Sequence, residues 1–74
     1  MTASQLDVKG LKCPLPVLRA RKALKPLAQG EVLEVLATDP SSVQDFKNFC
    51  DTTGHELVSA EEADGVYSYR IRKR

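Results

Sequence analysis

The chemistry-bearing residues of this chain cluster at one place, where Gly10-Leu11-Lys12-Cys13-Pro14-Leu15-Pro16 leads into a basic, helix-like stretch. If the helix begins at Pro14, Cys13 is its N-cap. Proline at the first helical position loses nothing, because its missing N–H has no intrahelical partner there. Pro16 then falls among the free donors of the first turn, and the Leu15 N–H is the donor best placed to meet the Cys13 sulfur. A positive helix end, with Lys9 and Lys12 nearby, favours the thiolate. The expectation is an exposed thiol whose pKa is lowered. Serine, threonine, aspartate or asparagine caps a helix better than cysteine does, so a purely structural role for Cys13 is the weaker reading.

Companions for that sulfur are scarce. Acyl transfer by a cysteine needs a histidine base and an oxyanion hole, and His55 is the one histidine. A dithiol redox pair needs a second nearby thiol, and Pro16 stands where a CxxC motif would place one. Cys50 falls on the apolar stripe of a second helix, which reads as a buried, inert thiol. One histidine and two distant cysteines do not form the paired spacings of a zinc site. The pattern describes a single activated sulfur whose chemistry is completed by partner molecules.

The elements that must position Cys13 follow from hydrophobic period. Leu6 and Val8 alternate with Gln5 and Asp7 as a short strand ending at Lys9-Gly10. Val17, Ala20, Leu24, Leu27 and Ala28 form the apolar stripe of a helix closed by Gln29-Gly30, with Lys25-Pro26 tightening its last turn. Residues 31–37, EVLEVLA, are apolar on both faces and read as the most buried strand. Asp39-Pro40-Ser41 opens the second helix, either through Asp39 as cap or through a Ser41/Gln44 capping box. Val43, Phe46, Phe49 and Cys50 supply its stripe, and Gly54 ends it. Residues 56–62 form a third strand, Asp64-Gly65 a hairpin turn, and the last strand alternates Tyr67, Tyr69 and Ile71 with Ser68, Arg70 and Arg72. The order βαβαββ predicts an α/β (α+β) two-layer sandwich, with two helices on one face of a four-stranded mixed sheet.

Residues 1–74 make one domain, since the chain has 74 residues and no room for a second core. Composition, with 42% hydrophobic and 28% charged residues, is that of an ordinary globular protein. Apolar runs are too short for a membrane-spanning helix and MTASQLD does not resemble a signal peptide, so the expected compartment is the cytoplasm. A net charge of +1 conceals segregation. Residues 1–30 hold six basic residues and one acid (+5), residues 31–64 one lysine and nine acids (−8), and residues 65–74 four basic residues (+4). Such polarity suits docking to a partner of complementary potential.

The whole stretch from Leu6 to Lys73 resembles the TusA/SirA family of small sulfur-carrier proteins. The resemblance is carried by Asp7, Gly10-Leu11, Cys13-Pro14-Leu15-Pro16 as the CPxP motif, Gly30, Thr38-Asp39-Pro40, Asp45, Phe49-Cys50, Gly54-His55-Glu56-Leu57, Asp64-Gly65 and Ile71-Arg72-Lys73. It implies a fold similar to the C-terminal domain of a bacterial initiation factor, with an antiparallel last strand. It also implies that Cys13 takes sulfane sulfur from a cysteine desulfurase, holds it as a transient persulfide with no other cofactor, and relays it to a downstream sulfur-accepting protein. Branches of the family serve tRNA 2-thiouridine synthesis, molybdenum-cofactor synthesis or sulfur oxidation; no role carries over to Cys50 or His55. Lys9, Lys12, Arg19, Lys22 and Lys25 are the expected docking residues, and a carrier that exposes one face to several partners is expected to be a monomer that needs no direct tRNA contact. Two competing classes are a nucleic-acid-binding module and a thiol-based oxidant sensor. The first lacks the interleaved aromatics of a base-stacking platform, aromatic residues being 5% of the chain.

Overall fold

The computed structural model describes residues 4–74. Six elements follow in the expected order: β1 (Ser4–Val8), α1 (Leu15–Leu24), β2 (Val32–Ala37), α2 (Ser42–Thr53), β3 (Glu56–Ala63) and β4 (Val66–Arg72). The sheet order is β1-β2-β4-β3, with β1 parallel to β2 and β4 antiparallel to both of its neighbours. Hence β1, β2 and β3 run in one direction, and the helix after each of the first two returns over the same face.

Register converts the alternating pattern into a core. Leu6, Val35 and Tyr69 share one row across the sheet, and Val8, Ala37 and Tyr67 share the next. Against these rows pack Ala20 and Leu24 of α1 and Phe46, Phe49 and Cys50 of α2, forming one apolar cluster. The opposite sheet face carries Arg70 and Arg72, which are exposed as the alternation of β4 requires. The β3–β4 hairpin turns at Asp64 and Gly65, both at positive φ (52° and 81°), the backbone that a tight two-residue turn demands. Gly54, at φ 84°, ends α2 as expected, its N–H bonding to the Cys50 carbonyl.

Several local expectations change. α1 stops at Leu24 rather than at Gly30, because Pro26 has no N–H to continue the ladder. Ala28 is consequently exposed and falls in a turn where its N–H donates to Glu31 Oε1 (2.7 Å). Val43 is 47% exposed, so the buried stripe of α2 is Phe46, Phe49 and Cys50, joined by Ser42. The fully buried Ser42 hydroxyl shares a 2.7 Å hydrogen bond with the Tyr69 hydroxyl, and Tyr69 stacks on Phe46 with ring centroids 4.6 Å apart. This pair fastens the first turn of α2 to β4.

The far end of α1 is held by the C-terminal residues. Lys73 Nζ donates to the carbonyls of Leu24 (2.8 Å) and Lys25 (2.9 Å), two acceptors that a helix C-terminus leaves free. Its backbone continues the β2–β4 ladder, with Gly30 N–H to Lys73 O and Lys73 N–H to Glu31 O, both 2.8 Å. Replacing Lys73 by methionine keeps the ladder and removes the cation. The expected loss is about 1 kcal/mol, read as a fall in Tm of about 4–8 °C for a domain of this size.

Candidate functional site

Cys13 sits in the loop that leaves β1, at the carboxyl edge of the parallel β1–β2 pair. Open α/β sheets commonly build their sites at that edge. Two hydrogen bonds tie this loop to the one leaving β2: Gly10 N–H to Thr38 Oγ1 at 2.9 Å, and Cys13 N–H to Asp39 Oδ2 at 2.7 Å. Asp39 also accepts from the Ser41 N–H (3.1 Å) and the Ser41 hydroxyl (2.8 Å). One carboxylate thus links the cysteine backbone to the start of α2.

The helix begins one residue later than the sequence predicts. Pro14, at φ −97° and ψ 14°, is the N-cap, Leu15 is the first helical residue and Pro16 the second. Cys13 therefore lies one position ahead of the cap, joined to Pro14 by a cis peptide bond. The Leu15 N–H donates to the Lys12 carbonyl at 2.9 Å, and so is not the donor to sulfur. At α2, Ser41 occupies the N-cap position, but its hydroxyl donates to Asp39 and no Ser41/Gln44 capping box forms; Gln44 donates instead to Asn48 at 3.0 Å.

Cys13 is exposed and is shared by two open grooves. One lies between the two loops and includes Lys12, Thr38, Asp39 and Ser41. The other runs between α1 and α2, past Val17, Arg21, Asp45, Asn48 and Phe49. These surroundings reverse the expected electrostatics. The Cys13 pKa is raised above the ordinary thiol value, first by the Asp45 carboxylate acting as hydrogen-bond acceptor for the protonated sulfur. Partial loss of water and the negative charges of Asp45 and Asp39 act in the same direction, and the Ser41 hydroxyl opposes them. The carboxylate of Asp39 is held below its usual range, first by the Cys13 N–H and then by Ser41.

Of the expected docking residues, Lys9 is 3.8 Å from Asp7, whereas Lys12 borders the loop groove beside Asp39. Arg19, Lys22 and Lys25 are exposed on or just beyond α1 and contribute to neither groove. Arg21, Asp39, Ser41 and Asp45 were not assigned to the sulfur site by sequence reasoning. In the sequence Ser41 stands out as a helix-capping candidate, Asp39 as a capping candidate and part of the family resemblance, and Asp45 as part of that resemblance. Cys50 is buried at 5% exposure and its thiol is pushed up to about 11, chiefly by desolvation. His55 lies beyond the end of α2, outside both grooves, with its Nδ1 accepting from the Arg74 N–H at 3.0 Å. Among the described residues, no group of three or more His, Cys, Asp or Glu is arranged to hold a metal ion. Among the same residues, no helix is long and apolar enough to cross a membrane.

An exposed thiol at the clamped end of a two-layer α/β sandwich defines the class: a small domain with one exposed cysteine, Cys13, and one buried cysteine, Cys50. The chain belongs to the TusA sulfurtransferase family, whose model matches residues 4–73. It is 53% identical to a candidate sulfur carrier protein of Neisseria meningitidis serogroup A, over 100% of both chains. It is 49% identical to the sulfur carrier protein TusA of Allochromatium vinosum, covering 93% of this chain and 91% of that one. Among solved structures, a SirA-like protein from Desulfitobacterium hafniense superposes with a TM-score of 0.83 at 33% identity, covering 96% of each chain.

Two outcomes follow from this geometry. Iodoacetamide at pH 8 is expected to label the native protein once, at Cys13, and to reach Cys50 only after denaturation; peptide mapping reads the ratio. Because the folded Asp39 pKa lies below its unfolded value near 3.8, its contribution to stability is complete above that value and is lost as pH falls through the folded pKa. The Cys13 amide resonance should accordingly shift at acid pH, with a midpoint below 3.8 in an NMR titration.

Proposed function

We propose that this chain is a cytoplasmic, monomeric sulfur carrier that accepts sulfane sulfur on Cys13 from a cysteine desulfurase and relays it to an acceptor protein thiol, with tRNA 2-thiouridine synthesis as the pathway served. The observation that carries this reading is the exposed Cys13, clamped by Asp39 between two open grooves that no histidine or second thiol lines. An independent acyl-transfer or dithiol enzyme needs those missing groups. A carrier needs only a sulfur that two other proteins can reach in turn.

The transfer balances without an outside oxidant. The Cys13 sulfur attacks the terminal sulfur of the donor's R–S–SH, the donor S–S bond breaks as the new one forms, and the donor leaves as a thiolate that takes up the proton from Cys13. The products are Cys13–S–SH and R–SH. Delivery repeats the exchange with the acceptor as attacking thiol. Leu15 and Leu18, 43% and 49% exposed on α1, offer apolar area for close docking beside the basic residues. The nucleic-acid reading loses ground in the C-terminal segment, where Arg70 lies 3.7 Å from Glu34, and Arg72 and Arg74 lie 3.2 and 4.0 Å from Glu56.

Incubation with a cysteine desulfurase and cysteine, followed by intact-mass spectrometry, tests the proposal. A gain of about 32 Da, removed by reductant and absent in Cys13→Ser, is the expected result, whereas gains of about 16 Da with oxidant alone point to a sensor. Complete absence of a sulfur adduct on Cys13 refutes the carrier reading.

A further inference from the structure

We propose that Asp45, which lines the groove between α1 and α2 together with Cys13, restrains the nucleophilicity of Cys13 in the free carrier, and that a cationic group of a docked partner lifts the restraint by occupying the carboxylate. The inference rests on the carrier reading above for its biological meaning but not for its test. Cys13 and Asp45 share the groove between α1 and α2, and their relative position is fixed from both sides. The Asp39 carboxylate holds the Cys13 backbone, and the same carboxylate binds Ser41, whose carbonyl accepts the Asp45 N–H at 3.1 Å. The Ser42–Tyr69 hydrogen bond then anchors that first turn of α2 to the sheet. The Asp45 backbone is therefore fixed relative to the Cys13 loop through three successive polar contacts and a packed helix, and its side chain lines the groove that Cys13 also lines.

The charged and polar groups that face the sulfur across its two grooves come from every neighbouring element. Asp45 comes from α2, Asp39 and Ser41 from the loop after β2, Lys12 from the cysteine's own loop, and Arg21 from α1. Arg21 borders the groove, yet the acids dominate, with Asp45 the largest influence on the thiol and Asp39 a lesser one. An anionic acceptor stabilises S–H and repels S⁻, so the free protein presents a weak nucleophile. A lysine or arginine set against Asp45 removes both effects at once, and because it arrives with the partner, activation coincides with docking. The transfer itself is unchanged: the proton leaving Cys13 ends on the departing donor thiolate.

The test titrates the rate of Cys13 alkylation by iodoacetamide in the isolated protein. In Asp45→Asn the midpoint of the pH profile should move to lower pH and the rate at pH 7 should rise; Asp45→Glu should retain the parent midpoint, and Asp39→Asn should give a smaller shift than Asp45→Asn. A second reading compares cationic with anionic methanethiosulfonate reagents, whose rate ratio should fall in Asp45→Asn. A purely structural role for Asp45 would lower Tm without moving the midpoint. An Asp45→Asn profile that overlays the parent overturns the proposal. Since alkylation involves no sulfur donor, that result would leave the adduct experiment on the carrier reading intact.

Discussion

Everything at the sulfur depends on the hydrogen bond from the Cys13 amide to the Asp39 carboxylate, which the parallel pairing of β1 and β2 makes possible. Parallel neighbours end at the same edge of a sheet, so the loops that leave them emerge side by side. Here those loops are cross-linked at 2.9 and 2.7 Å by the side chains of Thr38 and Asp39. The carboxylate collects two donors from Ser41 as well, which distributes its charge over the start of α2. A charge-assisted hydrogen bond of this length holds its partners more firmly than a neutral one. The loop carrying Cys13 is thereby placed relative to α2, although the two are far apart in sequence.

The architecture was legible because each element announces its period. Alternation in Tyr67, Tyr69 and Ile71 identifies the inward face of β4, and the structure buries those rings and that side chain at least in part. Asp64-Gly65 specifies its turn through the positive φ that both residues tolerate. Errors arose where a local signal competes with a tertiary one. Leu27 and Ala28 extend the helical spacing of α1 on paper, but Pro26 withholds a donor and Lys73 captures the carbonyls at Leu24 and Lys25.

The sign of the electrostatics at Cys13 was not legible. Sequence neighbours supply two lysines, and a reading along the chain weighs only those. Folding pairs Lys9 with Asp7, sets Lys12 beside Asp39, and brings Asp39 and Asp45 from the acidic middle of the chain up to the thiol. The segregation of charge along the sequence is thus partly undone in space. The same happens at the C-terminal end, where arginines of β4 and beyond meet Glu34 and Glu56.

The burial of Cys50 has a kinetic meaning. A thiol at 5% exposure with a pKa near 11 is neither reachable nor ionised at neutral pH, so under the proposed function it is no internal sink for sulfur held on Cys13. Intramolecular discharge would be fast and independent of concentration; its absence leaves only second-order routes. Under the proposed function, the residence time of cargo on the molecule is then set by how often thiols, those of recipients included, collide with it.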